Sequence, residues 1–542
     1  MRSWWLAFAP ALALAALQAC DKSGRATDAD AGVAAAAAEA GAEAPTTAAV
    51  VDAGEAKRIV LQIAASSIVA TVSDRLEWPE GDAGAKRLGY LRNGAIVNAY
   101  DPPLKNDECK DGWYELVDTK GYVCGKVVTI DLTNPRIKLA PKQPDRDAGM
   151  PYRYGVNTSD GTPLYRRVLG AEDRKKFEGR VATPPGEEKD EEPSLTGEDD
   201  APPPKKHGKK DKEKDRNRDP FENADAGRPL LSDLKGHGVL VRRMARGFTV
   251  AVDRDFKAAG TRWWRTTFGF AAPFDRIAIQ NGATKYSGNW FTGEGGIAEL
   301  LEIPTEVDAG TAHAGTVGFV TASSGITAAK FGEDGKPSGG VVLPRRSAVL
   351  LTGREQTFGG VPYQQTSAGT WVLAAGLKLA HPQFPPDLEP NEKWIDVDLT
   401  RQQLVAYEGR KPVFATLISS GRKNLEDPEH NFATPPGVYR IREKHVTTTM
   451  DGDVASDGPY SIEEVPWVMY FQGSYALHGA FWHDAFGNMR SHGCVNMAPE
   501  DARTLFGWAN PQLPDSWHGV FAQDTAVGSR VVVHEDTPPK HR

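Results

Sequence analysis

Between Glu187 and Asp200 the sequence carries eight acids and one lysine, and between Lys205 and Arg218 eight bases and three acids. Blocks of like charge stay solvated and offer nothing apolar to bury. No single core can therefore run through the middle of this chain of 542 residues, and residues 181–229 read as a disordered insertion. The basic block has a second reading, a patch for an anionic polymer or lipid, which the acidic block beside it could neutralise. A further break spans 21–57, rich in alanine and poor in bulky side chains, and reads as a tether. What remains must fold as several small domains. With 55 glycines and 38 prolines, turns are favoured over long helices, and the expected class is mainly β (α+β). A net charge of -8 argues against a dedicated nucleic-acid binder. Past residue 20 no run reaches the ~18 apolar residues of a spanning helix; Ile59 to Val72 is broken by Gln62, Ser66 and Ser67.

At the N-terminus, Arg2 precedes an apolar run from Trp4 to Leu17, then Gln18, Ala19 and Cys20. One positive charge, a short apolar stretch and small residues read as a secretory signal over residues 1–20; an uncleaved anchor helix is the alternative. Leu17-Gln18-Ala19-Cys20 resembles the lipobox of bacterial lipoproteins. That resemblance implies a lipidated Cys20 and a place in the cell envelope, on the periplasmic side of the inner or outer membrane. Of the four cysteines, Cys109 and Cys124 flank one short segment. A disulfide closing that loop of about 15 residues would add ~3 kcal/mol; two free thiols are the other possibility. Cys494 is left without a partner in an oxidising compartment, which calls for a functional explanation.

Short β-prone runs with turns between them fill residues 58–135: Ile68 to Val72, Ala95 to Val97, Trp113 to Val117 and Gly121 to Val123. Gly112-Trp113-Tyr114 followed by Gly121-Tyr122-Val123 resembles the bacterial SH3-like domain, a small barrel often found beside cell-wall enzymes. Residues 145–180 and 230–385 read as an accessory β-rich region of one or two domains around the insertion. There Gly369-Thr370-Trp371-Val372 echoes Gly112-Trp113-Tyr114-Glu115, which suggests a second SH3-like unit. Trp263 and Trp264 are expected in the core.

A new domain opens near residue 393. Trp394 to Leu399 alternates apolar and polar residues, and Gln403 to Tyr407 repeats the period after a short connection. Further on, His478, His483 and His492, three of the twelve histidines, fall within 15 residues just before Cys494. A thiol needs a base to act as a nucleophile near neutral pH, and histidine titrates there. The pattern therefore points to a Cys–His pair for acyl transfer. Gly479 and Gly493 allow close backbone approach, and amides around Gly493 and Cys494 could form an oxyanion hole.

Tyr475-Ala476-Leu477-His478-Gly479 together with Ser491-His492-Gly493-Cys494-Val495-Asn496 resembles the catalytic signature of the L,D-transpeptidases (YkuD type). The resemblance extends over residues 393–535 and takes in Thr434-Pro435-Pro436-Gly437 and the closing run Arg530 to His534. It implies a β-sandwich-like catalytic domain. It also implies Cys494 as nucleophile, His478 as base, and the Gly479 carbonyl as the group orienting the imidazole. His492 and Gly493 would shape the oxyanion site. Asn496 and Trp482 would support or line the substrate groove, as would Met469, Tyr470 and Phe471, although for two of these three core packing is the expected role. The implied partners are peptidoglycan stem peptides, with a protein as a further possible acceptor, and neither cofactor nor metal is required.

Three other readings compete. A zinc site from His478, His483, His492 and Cys494 has suitable ligands but leaves the glycines unexplained. A papain-like enzyme places its Cys before its His, whereas here the base precedes the thiol by 16 residues. The third is a lipid-anchored wall-binding scaffold with an inactive domain, and it differs in whether Cys494 can be acylated.

Overall fold

Runs of two to thirteen β-prone residues, cut by glycine, proline and charged turns, give many strands and few helices. A computed structural model describes residues 50–51, 58–79, 84–178, 229–280, 286–291, 315–424, 426–427, 431–453 and 458–536. The expected lipidation site Cys20, nearly all of the tether and the charged insertion lie outside the described residues. Among the described residues no helix is long and apolar enough to cross a membrane. The chain divides into two compact units. One takes residues up to Ala140 with Pro514–Trp517, the other Pro141–Leu513 with His518 onward.

In the first unit, Arg58–Ala65 pairs with Ile96–Asp101 and with Val128–Thr129. Val69–Ser73 pairs with Arg87–Arg92 and Tyr122–Cys124, and the latter also with Trp113–Glu115. A 3-10 turn, Gly125–Val127, precedes the last strand. Cys109 and Cys124 form a disulfide within this sheet, packed on the fully buried Trp113.

The second unit contains the same arrangement twice. In its first copy Arg153–Asn157 pairs with Thr249–Ala258 and Ile277–Ile279, and Thr162–Tyr165 with Leu240–Met244 and Ala271–Pro273. Thr261–Thr266 lies between Thr249–Ala258 and Ala271–Pro273, and Phe274–Arg276 is the 3-10 turn. In its second copy Thr316–Val320 pairs with Ala348–Phe358 and Leu377–Leu379, and Ile326–Phe331 with Pro337–Leu343 and Trp371–Leu373. Val361–Thr366 bridges Ala348–Phe358 and Trp371–Leu373, and Ala374–Gly376 is the turn.

The chain thus holds three repeats of one strand order, and the accessory region is two of them. The charged insertion falls between the second and third strands of the second repeat. The repeats also correct the sequence echo. Trp371 begins the strand equivalent to Tyr122–Cys124, so Gly369 matches Lys120, which shares its positive φ, rather than Gly112. A glycine two residues from an aromatic is too short a signal to fix register; strand pairing fixes it.

Two sheets face each other in the C-terminal region. One runs in the order Asn289–Trp290, Lys411–Leu417, Gln403–Glu408, Lys393–Asp398, Arg530–His534 and Gly437–Arg440. The other contains Glu443–Gly452, Tyr460–Gln472, Tyr475–Gly479, Val495–Met497 and Gly519–Phe521. Ile395, Val397 and Leu404 of the first pack on Trp467, Met469, Leu477 and Val495 of the second, with Leu505 and Phe506 of helix Pro499–Trp508. The outer face of the first sheet is covered as well: Trp394, Val405 and Tyr407 share a cluster with Val317 and Phe319 of the third repeat. The polar positions of the Trp394-to-Leu399 alternation are therefore buried. Asp396 is held by His534 at 3.1 Å and by the Gln383 amide at 2.9 Å, and Asp398 by Arg401 at 2.9 Å.

Candidate active site

Tyr475–Gly479 and Val495–Met497 are parallel neighbours, with His478 opposite Asn496. Side chains two apart on a strand share a face, so Cys494, Asn496 and His478 come to one side of the sheet. His478 is buried, and its Nδ1 lies 3.1 Å from the Gly479 carbonyl oxygen. A carbonyl can only accept, so Nδ1 carries the proton and Nε2 keeps its lone pair. The indole of Trp482 lies over this imidazole, with ring centroids 5.8 Å apart.

Cys494 is the free thiol among the described residues, and Sγ donates to the Ser474 carbonyl at 3.6 Å. Burial pushes the thiol up to about 11, offset in part by a backbone hydrogen bond from Ala476. Burial also moves His478 down to about 4, against the pull of its bond to Gly479. Both shifts disfavour charge, so the resting pair is thiol and neutral imidazole rather than an ion pair.

The loop before Cys494 is tied from several sides. Ser491 Oγ donates to the Cys494 carbonyl and accepts the Gly493 N–H at 3.1 Å. Thr434 Oγ1 donates to the Gly493 carbonyl at 2.7 Å and accepts the Gly421 N–H at 2.9 Å. Thr434-Pro435-Pro436 therefore braces the motif. Gly493 takes a φ of +118°, open to glycine and strained for other residues. The Gly493 N–H is taken up by Ser491 in this state, so it points into the loop.

A cleft of about 860 Å³ opens on these groups, lined by His478, Cys494 and Asn496 with Tyr460, Ile462, Tyr470, Trp482, Ser491 and His492. Of the groove residues expected from the sequence, Tyr470, Trp482 and Asn496 reach it. Met469 and Phe471 do not, since both are fully buried in the core between the sheets. Strand alternation turns Tyr470 to the cleft and its two neighbours inward. His492 sits at the rim, stacked on Tyr460 with centroids 5.1 Å apart, and accepts from Arg422 at 3.0 Å.

His483 serves the scaffold. Its Nδ1 accepts the Ala485 N–H at 3.2 Å, and its Nε2 lies 3.1 Å from the Asn496 amide. Among the described residues no three His, Cys, Asp or Glu side chains converge as a metal site would need.

Sequence reasoning missed Tyr460, Arg422, Arg490 and the cleft residues Arg246 and Phe248. Tyr460 was detectable in principle, two residues from Ile462 on a strand. Nothing local marks Arg246, which comes from the second repeat.

A chain of Bacillus subtilis (strain 168), YciB, an L,D-transpeptidase by name, is 25% identical over 146 residues, 24% of this chain and 66% of its own length. The L,D-transpeptidase (Yku) structure from Stackebrandtia nassauensis is 23% identical, covering 29% of this chain and 60% of that one, with a TM-score of 0.20. The catalytic domain of the E. faecium L,D-transpeptidase is 26% identical over 27% of this chain and 98% of that one, also at a TM-score of 0.20. Residues 392–533 match the model of the YkuD family, the L,D-transpeptidase catalytic domain.

Proposed function

We propose that the protein is a peptidoglycan L,D-transpeptidase. The observation that carries this reading is one cleft lined by His478, on strand Tyr475–Gly479, and Cys494, directly before the parallel neighbour Val495–Met497, with the imidazole set by the Gly479 carbonyl to accept a proton at Nε2. As Sγ attacks the carbonyl of the third, L-configured residue of a tetrapeptide stem, its proton passes to His478. The tetrahedral adduct collapses, the bond to the terminal D-Ala breaks, and His478 returns the proton to the leaving amine. An acceptor amine then attacks the thioester, losing its proton to His478 and restoring the thiol. The acyl energy of the old bond is carried by the thioester, so no nucleotide is consumed.

In this reading the three repeats of one strand order are SH3-like modules that hold the enzyme against the wall. An N-terminus lipidated at Cys20 would keep it at the membrane of the cell envelope.

Mixing the soluble chain, residues 21–542, with a disaccharide-tetrapeptide and measuring intact mass tests the reading. We expect an acyl adduct with release of D-Ala, absent in Cys494→Ala, and product masses that separate cross-linking from hydrolytic trimming. Wall binding without any adduct would point instead to a scaffold.

A further inference from the structure

The C-terminal domain does not wall the cleft alone. Arg246, Gly247 and Phe248 line it too, from the turn between strands Leu240–Met244 and Thr249–Ala258 of the second repeat. That turn is pinned. The fully buried Asn157 places its amide nitrogen 3.1 Å from the Met244 carbonyl and 2.8 Å from that of Ala245. Asp160 accepts the Arg246 N–H at 2.7 Å, and Gly247, at φ +90°, donates to the Asn157 carbonyl at 2.8 Å.

The repeat is in turn fixed to the strand that supplies Tyr460, Ile462 and Tyr470 to the cleft. Thr249 pairs with Ile462, Arg242 donates to Ser461 Oγ at 2.8 Å, and Tyr154 donates to the Glu464 carbonyl at 2.6 Å. The equivalent turn of the third repeat also meets the C-terminal domain: Arg346, at the place of Gly247, donates to the Asp484 carbonyl at 3.2 Å, in the segment between the two halves of the motif. An arginine on this turn is thus presented from a rigid backbone.

The charge of the cleft is one-sided. Arg246, Arg422 and Arg490 line it, whereas its carboxylate Asp451 is already met by Arg242 at 3.6 Å. Among the described residues no carboxylate pairs with any of those three guanidinium groups. Such a wall draws carboxylates, which guanidinium groups bind by charge-assisted hydrogen bonds.

We propose that Arg246 is a specificity-determining residue lent to the active site by the second repeat. It takes a free carboxylate of the donor peptide other than the one that departs with D-Ala. It thereby selects stems that carry this carboxylate over stems in which it is amidated. The inference rests on the function proposed above.

Two synthetic tetrapeptide stems test it, one with free carboxylates and one amidated everywhere except at its C-terminal carboxylate. Affinities are measured by calorimetry in full-length Cys494→Ala, with and without Arg246→Gln or Arg246→Lys. D-Ala release is followed in the chain with Cys494 intact. We expect a preference for the free acid on the order of tenfold, weakening with added salt. Arg246→Gln should abolish the preference by weakening the free acid alone, seen as a rise in KM, and Arg246→Lys should keep part of it. A preference unchanged in Arg246→Gln, an equal loss for both stems, or no binding of either would overturn the inference. Arg246-dependent preference without acylation of Cys494 would refute the reaction and leave the inference standing. Acylation with no dependence on Arg246 would do the reverse.

Discussion

At the scale of single residues, the candidate site is defined by two groups held neutral. With Cys494 pushed up to about 11 and His478 down to about 4, the thiolate is scarce at neutral pH, and in the proposed reaction it would form only as the attack proceeds. Iodoacetamide should therefore alkylate Cys494 with a rate that climbs through pH 9 and inflects near 11. An inflection near 6 or 7, read by mass spectrometry of the modified chain, would instead require a pre-formed thiolate–imidazolium pair. Cys494→Ala should keep the thermal transition of the parent, because it removes one polar atom beside a cleft and empties no core. Differential scanning calorimetry checks this. The cysteine and the histidine were legible in the sequence because their chemistry is written in residue type and spacing. The engagement of the Gly493 N–H by Ser491 was not, since a hydrogen bond between loop atoms depends on a backbone path that spacing does not specify.

Among the elements, the helix and the bracing turn give the sharpest expectations. Helix Pro499–Trp508 starts at a proline, whose absent N–H costs nothing there, and it buries Ala502, Leu505 and Phe506. Its end is held by Lys444, fully buried, whose Nζ donates to the carbonyls of Phe506 at 2.5 Å and Ala509 at 2.6 Å. Lys444→Met orphans both carbonyls and should cost roughly 2–4 kcal/mol in urea unfolding. Near the site, a Cβ on Gly421 would collide with the Phe432 carbonyl and crowd the Gly493 Cα. Gly421→Ala should lower D-Ala release at least tenfold by displacing the motif loop, as near-attack geometry is lost with small shifts. Undiminished release by a folded variant would show that the brace is dispensable. Sequence periodicity located the strands here, but it did not say what covers the polar positions of Trp394 to Leu399. Only the packing of the third repeat on the outer face explains why Asp396 and Asp398 are buried.

For the whole molecule, the second repeat is joined to the sheet beneath the cleft through buried carboxylates. Burial raises Glu463 to about 8, and it accepts the Ala251 N–H at 3.3 Å. A carboxyl that titrates at a higher pH folded than unfolded binds the extra proton in the native state. Its effect is absent below the unfolded value near 4.5, and it destabilises progressively as pH rises from there to about 8. Glu463→Gln mimics the protonated form, so its melting temperature relative to wild type should climb between pH 4.5 and 8 and level off above. A constant difference across that range would show that Glu463 titrates normally.

What the sequence determined by itself was the mainly β class and the residue types gathered at one candidate site. Charge blocks cannot be buried, period-two runs build strands, and a thiol beside histidines points to acyl transfer, all of which are local properties of the chain. Tertiary structure decided what depends on distant residues meeting. It set the threefold recurrence of one strand order and the inward turn of Met469 and Phe471. It also brought Arg246 to a cleft shared with Cys494, 248 positions further along the chain. Pairing and packing fix these, because which face of a strand is buried, and against what, is a property of its neighbours rather than of its own residues.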